Sequence, residues 1–199
     1  MIALRQRTAE QGLEVHRSIP VRVYEDDVHH GPRVKKAREW VARCGPRSIV
    51  ELGCGAGDVS GPFSDQSCLV VGFDINEKAV EKARERFPSA NYHCMDFVSV
   101  EPGGCDVLVM CEVLEHLPDP LATATRWLPG VQYAVISFPL NESELFRNGI
   151  DLSAGEHQWS FTAEDLKDFL SAGQHELIES EEYELGSYNC IIARSRRMK

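Results

Sequence analysis

Residues 48–58, Ser-Ile-Val-Glu-Leu-Gly-Cys-Gly-Ala-Gly-Asp, read as a buried strand that runs straight into a glycine-rich turn. Ile49, Val50 and Leu52 form a short apolar run between Gly45-Pro46 and Gly53, the pattern of a central strand in a parallel sheet. Gly53, Gly55 and Gly57 alternate after it, so the backbone can come close to a ligand with no Cβ in the way. The turn is a binding element more than a connector. A dinucleotide site carries glycine at the sixth position of Gly-x-Gly-x-x-Gly, where pyrophosphate meets a helix N-terminus. Here that position is Asp58, whose carboxylate would repel pyrophosphate. No Gly-Lys-Ser/Thr follows to make a nucleotide loop, so the expected ligand is not a pyrophosphate.

At 199 residues and 43% hydrophobic content, the chain can bury one sizeable core and reads as a single domain without tandem repeats. The net charge of −10 argues against holding duplex nucleic acid by phosphate neutralisation, and a small or uncharged substrate fits better. The N-terminus shows no signal-peptide pattern, and no apolar run approaches the ~20 residues needed to span a bilayer. The expectation is a cytoplasmic protein with no membrane partner. Seven cysteines, at 44, 54, 68, 94, 105, 111 and 190, form no Cys-x-x-Cys pair and read as buried free thiols.

Taken in order, residues 1–32 are polar, with a β-like stretch at Val21–Tyr24 and an acidic, histidine-rich turn at Glu25–His30; their fold is poorly specified. From Val34, apolar residues recur at helical spacing until Gly45-Pro46, predicting a helix against the sheet edge. Cys68–Phe73 is a second strand ending in Asp74, placed to accept hydrogen bonds from ribose hydroxyls; the alternative role is in the cap region of the helix Asn76–Phe87. A third strand, Asn91–Met95, ends at Asp96-Phe97, and Asp96 also reads as a turn residue. The fourth, Asp106–Cys111, opens into Cys111-Glu-Val-Leu-Glu-His-Leu-Pro-Asp-Pro120.

Active sites of parallel α/β sheets gather at the carboxyl ends of strands, where Glu112, Glu115 and His116 emerge. At i, i+3 and i+4 they would share one face of a helical turn. Such a cluster can hold a divalent metal, or His116 alone can serve as a general base; the plain alternative is that both glutamates decorate a helix start. Thr123–Leu128 is a weak helix and Tyr133–Phe138 a fifth strand. The long connection Pro139–Trp159 is read as a substrate-facing flap whose chemical residue is His157. Thr162-Ala-Glu-Asp165 is a capping box for a helix ended by Gly173. Strands near Glu176–Tyr183 and Tyr188–Ala193 can pair as a hairpin, and residues 194–199 are expected to fray.

The stretch Glu51-Leu-Gly-Cys-Gly-Ala-Gly57 resembles motif I of the class I S-adenosylmethionine (SAM) dependent methyltransferases, and the likeness covers about Val34–Ala193. It implies a Rossmann-like α/β fold: a seven-stranded, mostly parallel sheet with an antiparallel C-terminal hairpin and helices on both faces. Residues 34–199 would be the methyltransferase domain and 1–33 a lid or a tail. The implied cofactor is SAM, held by Glu51, Gly53, Cys54, Gly55 and Gly57, by Asp74 and Ile75 at the ribose, by Asp96 and Phe97 at the adenine, and by Cys111.

Within the class, Glu112–Pro120 looks like the ubiquinone-biosynthesis O-methyltransferases and the related type 11, 12 and 23 groups. A second likeness competes. Small-RNA 3′-terminal 2′-O-methyltransferases of the Hen type carry Glu-x-x-Glu-His plus a downstream His-x-aromatic-x-aromatic-Thr, and here stands His157-Gln-Trp-Ser-Phe-Thr162. That match implies Glu112, Glu115, His116 and His157 as a set for Mg or Mn, with an RNA 3′ end as partner; the acidic charge and the lack of an obvious RNA-binding module stand against it. The chain also departs from small-molecule relatives in having Leu128-Pro-Gly-Val where they have Lys-Pro-Gly-Gly.

The expected activity is methyl transfer from SAM to a hydroxyl or amine of a small molecule. A sulfonium methyl is already activated, so the protein's task is in-line placement, worth up to ~7–11 kcal/mol, with His116 as base and His157 second. A non-catalytic SAM-binding domain would have no need of those groups, and Asp58 disfavours a nicotinamide oxidoreductase.

Overall fold

The computed structural model describes residues 1–4, 8–150, 156–185 and 188–199. Its elements in chain order are β1 (Ile2–Ala3), α1 (Ala9–Ser18), α2 (Gly31–Arg43), β2 (Ser48–Leu52), α3 (Gly61–Ser64), β3 (Leu69–Asp74), α4 (Glu77–Arg86), β4 (Asn91–Cys94), β5 (Cys105–Cys111) and α5 (Pro120–Trp127). There follow β6 (Val131–Leu140), α6 (Glu142–Arg147), β7 (Trp159–Ser160), α7 (Ala163–Ala172), β8 (His175–Leu185) and β9 (Tyr188–Arg197).

Seven strands form one sheet in the order β4-β3-β2-β5-β6-β9-β8. β4 through β6 run parallel, and β9 and β8 close the sheet as an antiparallel hairpin. This is the expected Rossmann-like architecture. Strands buried on both faces must be apolar at every position, and β5 shows why the pattern did not alternate. Its Val107 and Val109 pack with Val34, Ala37, Trp40 and Val41 of α2 on one face. Its Leu108 and Met110 pack with Trp127 of α5 and Leu166, Phe169 and Leu170 of α7 on the other. The chain leaves β2 towards β3 and β4 and then returns to β5, so the strand order reverses between β2 and β5. Ligands of open parallel sheets bind outside the carboxyl ends of strands at such a reversal.

Several local expectations change. α2 begins at Gly31 and covers the centre of one sheet face, because its apolar stripe reaches strands on both sides of β5. Val21–Tyr24 forms no strand; instead it is drawn onto the sheet's carboxyl edge, where the Tyr24 N–H donates to Asp58 Oδ2 at 3.0 Å. The N-terminal segment also holds α1, started by a capping box in which Thr8 and Gln11 satisfy each other's backbone N–H. Residues 194–197 do not fray but pair with β6 and β8, with Arg194 and Arg196 bonding to Glu179 and Glu176 across the hairpin. In the connection after β6, α6 takes up residues 142–147, while 151–155 lie outside the described residues. No helix among the described residues is long and apolar enough to cross a membrane.

Candidate active site

The turn after β2 is bare on the side that faces the cleft. Gly55 has φ +51°, and a Cβ placed on it would meet nothing within 4 Å; the open space beside it is the cleft itself, which Gly55 lines. Gly53 also has positive φ, and a Cβ there would lie 2.8 Å from Val113 Cγ2, after β5. Glycine is therefore favoured at both positions, at Gly55 by the positive φ and at Gly53 by the positive φ and the close passage of the two strand ends.

Asp74 closes β3 against this turn. One carboxylate oxygen accepts the Gly55 N–H at 2.8 Å and the other the Asn76 N–H at 2.9 Å. Burial raises its pKa above the usual carboxylate range, opposed by those backbone donors. The competing cap role falls to Asn76, whose Oδ1 accepts from the Ala79 N–H at 3.2 Å. Beside Asp74 lies the apolar part of the cleft, walled by Ile75, Phe97, Val98 and Leu117. Asp96 lines this part and also caps the single turn after it, accepting the Val98 N–H at 2.9 Å.

On the other side of the glycine turn the cleft is polar, lined by Glu51, Cys54, Cys111, Glu115 and His157 among others. Glu51 is buried, its Oε2 accepting the Ser60 N–H at 3.2 Å and the Ser60 hydroxyl. Burial first, and the charges of Asp58 and Asp74 second, push its pKa up to about 8. Burial likewise lifts the Cys111 thiol to about 12 and that of Cys54 well above its ordinary value, so neither is a nucleophile. Asp58 is neutralised by Arg86 at 2.8 Å.

The segment after β5 does not form the helical turn that would align three side chains. Glu112 takes φ +55°, and a 3-10 turn follows at Leu114–His116. The structure brings Glu115, His116 and His157 together and leaves Glu112 out. The Glu112 Oε1 accepts from Ser137 Oγ at 2.9 Å and lies 4.0 Å from Arg33 Nε. Glu115 Oε1 stands 3.7 Å from His116 Nε2 and 4.0 Å from His157 Nε2, too far for hydrogen bonds. Both Glu115 oxygens are buried without a hydrogen-bond partner.

The other ring nitrogens fix the tautomers. The His157 Nδ1–H donates to Glu142 Oε2 at 2.7 Å, and the His116 Nδ1–H points at the Glu156 carbonyl at 3.4 Å. The Nε2 atoms of His116 and His157 then lie on the side of Glu115, so two imidazoles and a buried carboxylate share one pocket. Burial, with Glu112's charge second, holds the Glu115 pKa well above its usual value. Burial, then His16 and His157, holds His116 well below its own, so it is a neutral acceptor at pH 7.

Sequence reasoning missed His16, Arg33, Glu142 and Glu156. The pattern Thr8-x-x-Gln11 was the available signal for α1, and so for His16. Glu142 carries no signal, because its pairing with His157 crosses a connection whose path the sequence does not define.

A family profile described as a methyltransferase domain matches residues 28–180. The ubiquinone biosynthesis O-methyltransferase of Thiobacillus denitrificans is 33% identical over 91 residues, covering 41% of this chain and 39% of that protein. The chain thus matches well under half of that relative's length. Magnesium protoporphyrin IX methyltransferase from Synechocystis, solved with S-adenosylhomocysteine (SAH), superposes with a TM-score of 0.74 at 18% identity, covering 95% of this chain and 94% of that one. An N-methyltransferase of Bradyrhizobium japonicum, also solved with SAH, gives 0.71 at 18% identity over 95% and 98%. These two likenesses establish the fold, and the profile match over most of the chain, on a sheet with a bare glycine turn at its reversal point, makes the chain a member of the class I SAM-dependent methyltransferase family.

Proposed function

We propose that the chain is a SAM-dependent methyltransferase acting on a hydroxyl or amine of a small molecule. The observation that carries this reading is the cleft-lining turn from Gly53 to Ala56, pinned to Asp74 between an apolar and an acidic compartment. Its two ends match the two ends of the cofactor. Ile75, Phe97 and Val98 offer apolar cover for adenine, with Asp96 beside them to accept from an exocyclic amine, and Asp74 accepts from ribose hydroxyls. Glu51 and the turn would receive the cationic amino acid end. Bound there, SAM supplies an activated methyl group on sulfonium. The chain's remaining tasks are to exclude water, align the acceptor and take its proton.

Residues 12–24 close the cleft from above, with Gly12, Leu13, Ile19 and Tyr24 in its wall, which supports the lid role for the N-terminal segment over the tail. His116 lines both compartments and is the proposed base; His157, oriented by Glu142, stands second. As an alternative to His116 acting as base, Glu115, His116 and His157 fit a divalent cation, which would take the His116 lone pair and supply Lewis-acid polarisation of an acceptor hydroxyl. The four-residue RNA-type set is disfavoured, since Glu112 is engaged by Ser137 and Arg33. Seven free thiols support a reducing compartment such as the cytoplasm.

Calorimetry with SAH against NAD tests the cofactor, and labelled-methyl transfer to a panel of phenols, catechols and amines, with and without chelator, tests the reaction. Absence of SAH binding by folded protein would overturn the reading.

A further inference from the structure

The turn that carries Glu115 and His116 is held from one side by the flap. Three successive carbonyls leave it, those of Glu115, His116 and Leu117, and each takes a donor from Gln158 or Trp159. The Gln158 backbone N–H donates to the Glu115 carbonyl at 2.8 Å, the Gln158 side-chain amide to the His116 carbonyl, and the Trp159 indole N–H to the Leu117 carbonyl at 2.7 Å. Carbonyls at the end of a short 3-10 turn have no partner inside it, so their direction is set by what the flap offers. With the backbone held on both sides of His116, the seat of its ring is held as well.

Gln158 is also where the N-terminal segment lands. It is buried, its backbone carbonyl accepts the Leu4 N–H at 2.8 Å, and β1 pairs with β7 beside it. From α1, Gly12 comes so close that a Cβ on it would lie 2.9 Å from Gln158 Nε2, the atom that donates to His116. Glycine is the weakest helix former after proline, so its place inside α1 has a packing reason: the helix lies on the Gln158 amide only because no side chain stands between them.

Resting on the methyltransferase reading with His116 as base, we propose that Gln158 is the positioning residue through which α1 sets the orientation of His116. It acts from behind the base, through the His116 carbonyl. With α1 docked, the Gln158 amide is confined between Gly12 and that carbonyl, and His116 keeps its place in the cleft. With α1 lifted, the amide is free to turn away and the base loses its setting, so proton removal is tied to closure of the N-terminal segment.

The test compares the unaltered chain with Gln158→Met, which keeps the side chain's length and removes its donor, with Gly12→Ala, and with the two combined. Ring nitrogen signals of His116 are followed by NMR with nitrogen-15-labelled histidine, those of His175, held elsewhere by Ser195 and Leu128, serving as the control; each is identified by its loss in the corresponding Gln variant. Turnover is measured with the acceptor that the phenol, catechol and amine panel yields. In Gln158→Met the His116 signals should move while those of His175 stay, and kcat should fall by roughly ten- to a hundredfold, the scale of an ångström-sized misplacement of a catalytic group. SAH affinity should stay within about twofold, since the glycine turn and Asp74 are untouched. Gly12→Ala should move the same signals and lower kcat by a smaller factor, roughly three- to tenfold. Added to Gln158→Met, it should change kcat by no more than about twofold, because the two residues act through one contact.

Unmoved His116 signals or unchanged kcat in Gln158→Met would overturn the proposal, and losses that multiply in full in the double variant would overturn the link to α1. Gly12→Ala leaves the flap sequence intact and carries the same comparison if Gln158→Met fails to fold. Absence of SAH binding by the unaltered chain removes the methyltransferase reading, and the ring signals alone then decide whether Gln158 positions His116; SAH binding with unmoved ring signals removes the proposal alone.

Discussion

The Asp74 carboxylate takes the Gly55 N–H at 2.8 Å and so locks the end of one strand to the turn leaving its neighbour. The same group, with its remaining acceptor capacity, is the proposed partner of the ribose hydroxyls. Asp74→Ala removes both roles, and Asp74→Asn keeps the volume while withdrawing the charge. Hydrogen bonds to a charged acceptor contribute about 1.5–3 kcal/mol each, so SAH affinity should fall ten- to a hundredfold in Asp74→Asn and further in Asp74→Ala. Circular dichroism should show the fold retained. Unchanged SAH affinity in Asp74→Asn would remove Asp74 from the cofactor site.

Glu51 makes the ligand-free protein pH-dependent in a defined direction. Its pKa stands at about 8 against an ordinary 4.5, mainly because burial disfavours the carboxylate. A raised acid favours folding in its protonated form, so its contribution is present below pH 4.5 and lost as pH rises through about 8, a change on the order of a few kcal/mol. Glu51→Gln should flatten that part of the thermal-stability profile relative to the unaltered chain. A cationic amino acid end beside Glu51 would bring its pKa back down, so SAM binding near pH 7 should release a proton. The observed calorimetric enthalpy would then depend on the ionisation enthalpy of the buffer, and this dependence should vanish in Glu51→Gln.

The glycine that opens α3 should tolerate no side chain. A Cβ on Gly61 would sit 2.2 Å from the Phe87 ring, which must then leave its half-buried seat. Overpacking of this kind costs about 1–3 kcal/mol, and ~2–4 °C of melting temperature per kcal/mol applies at this chain length. Gly61→Ala should therefore melt several degrees lower, and adding Phe87→Leu should recover part of the loss. Equal melting temperatures for Gly61→Ala and the unaltered chain would show that the ring gives way freely.

The frame of the protein was written locally and the reactive cluster was not. β2, β3 and β5 announced themselves because strands buried on both faces are runs of Ile, Val and Leu, and the glycines and Asp74 follow from what a strand-end turn can accommodate. Glu115, His116 and His157 were named from one short motif and one downstream histidine. Their grouping was misjudged at Glu112, because the helical-face rule fails where the backbone takes φ +55° and no i, i+3 face exists. The last strand ran longer than expected because its arginines find cross-strand glutamates, a pairing set by hairpin register. The N-terminal segment was illegible for a different reason: its apolar residues are few, and it gains order from the cleft it covers.

Glu142 holds the flap histidine without facing the cofactor side of the cleft. It is buried at the start of α6, after Asn141 in a left-handed conformation, and accepts the His157 Nδ1–H at 2.7 Å. A carboxylate behind an imidazole fixes the ring's tautomer and orientation, and removing such a partner typically costs about 10–100-fold in activity or metal affinity. Glu142→Gln preserves the shape and can still accept through its amide oxygen, so kcat should fall by about tenfold; Glu142→Ala, which frees the ring, should lose nearer a hundredfold. Because neither change touches the glycine turn or Asp74, SAH affinity should stay within about twofold of the unaltered chain, the spread expected for distant, independent sites. A Glu142→Ala protein that keeps full turnover would show that His157 is held by the flap backbone alone and that its ring plays no part in methyl transfer.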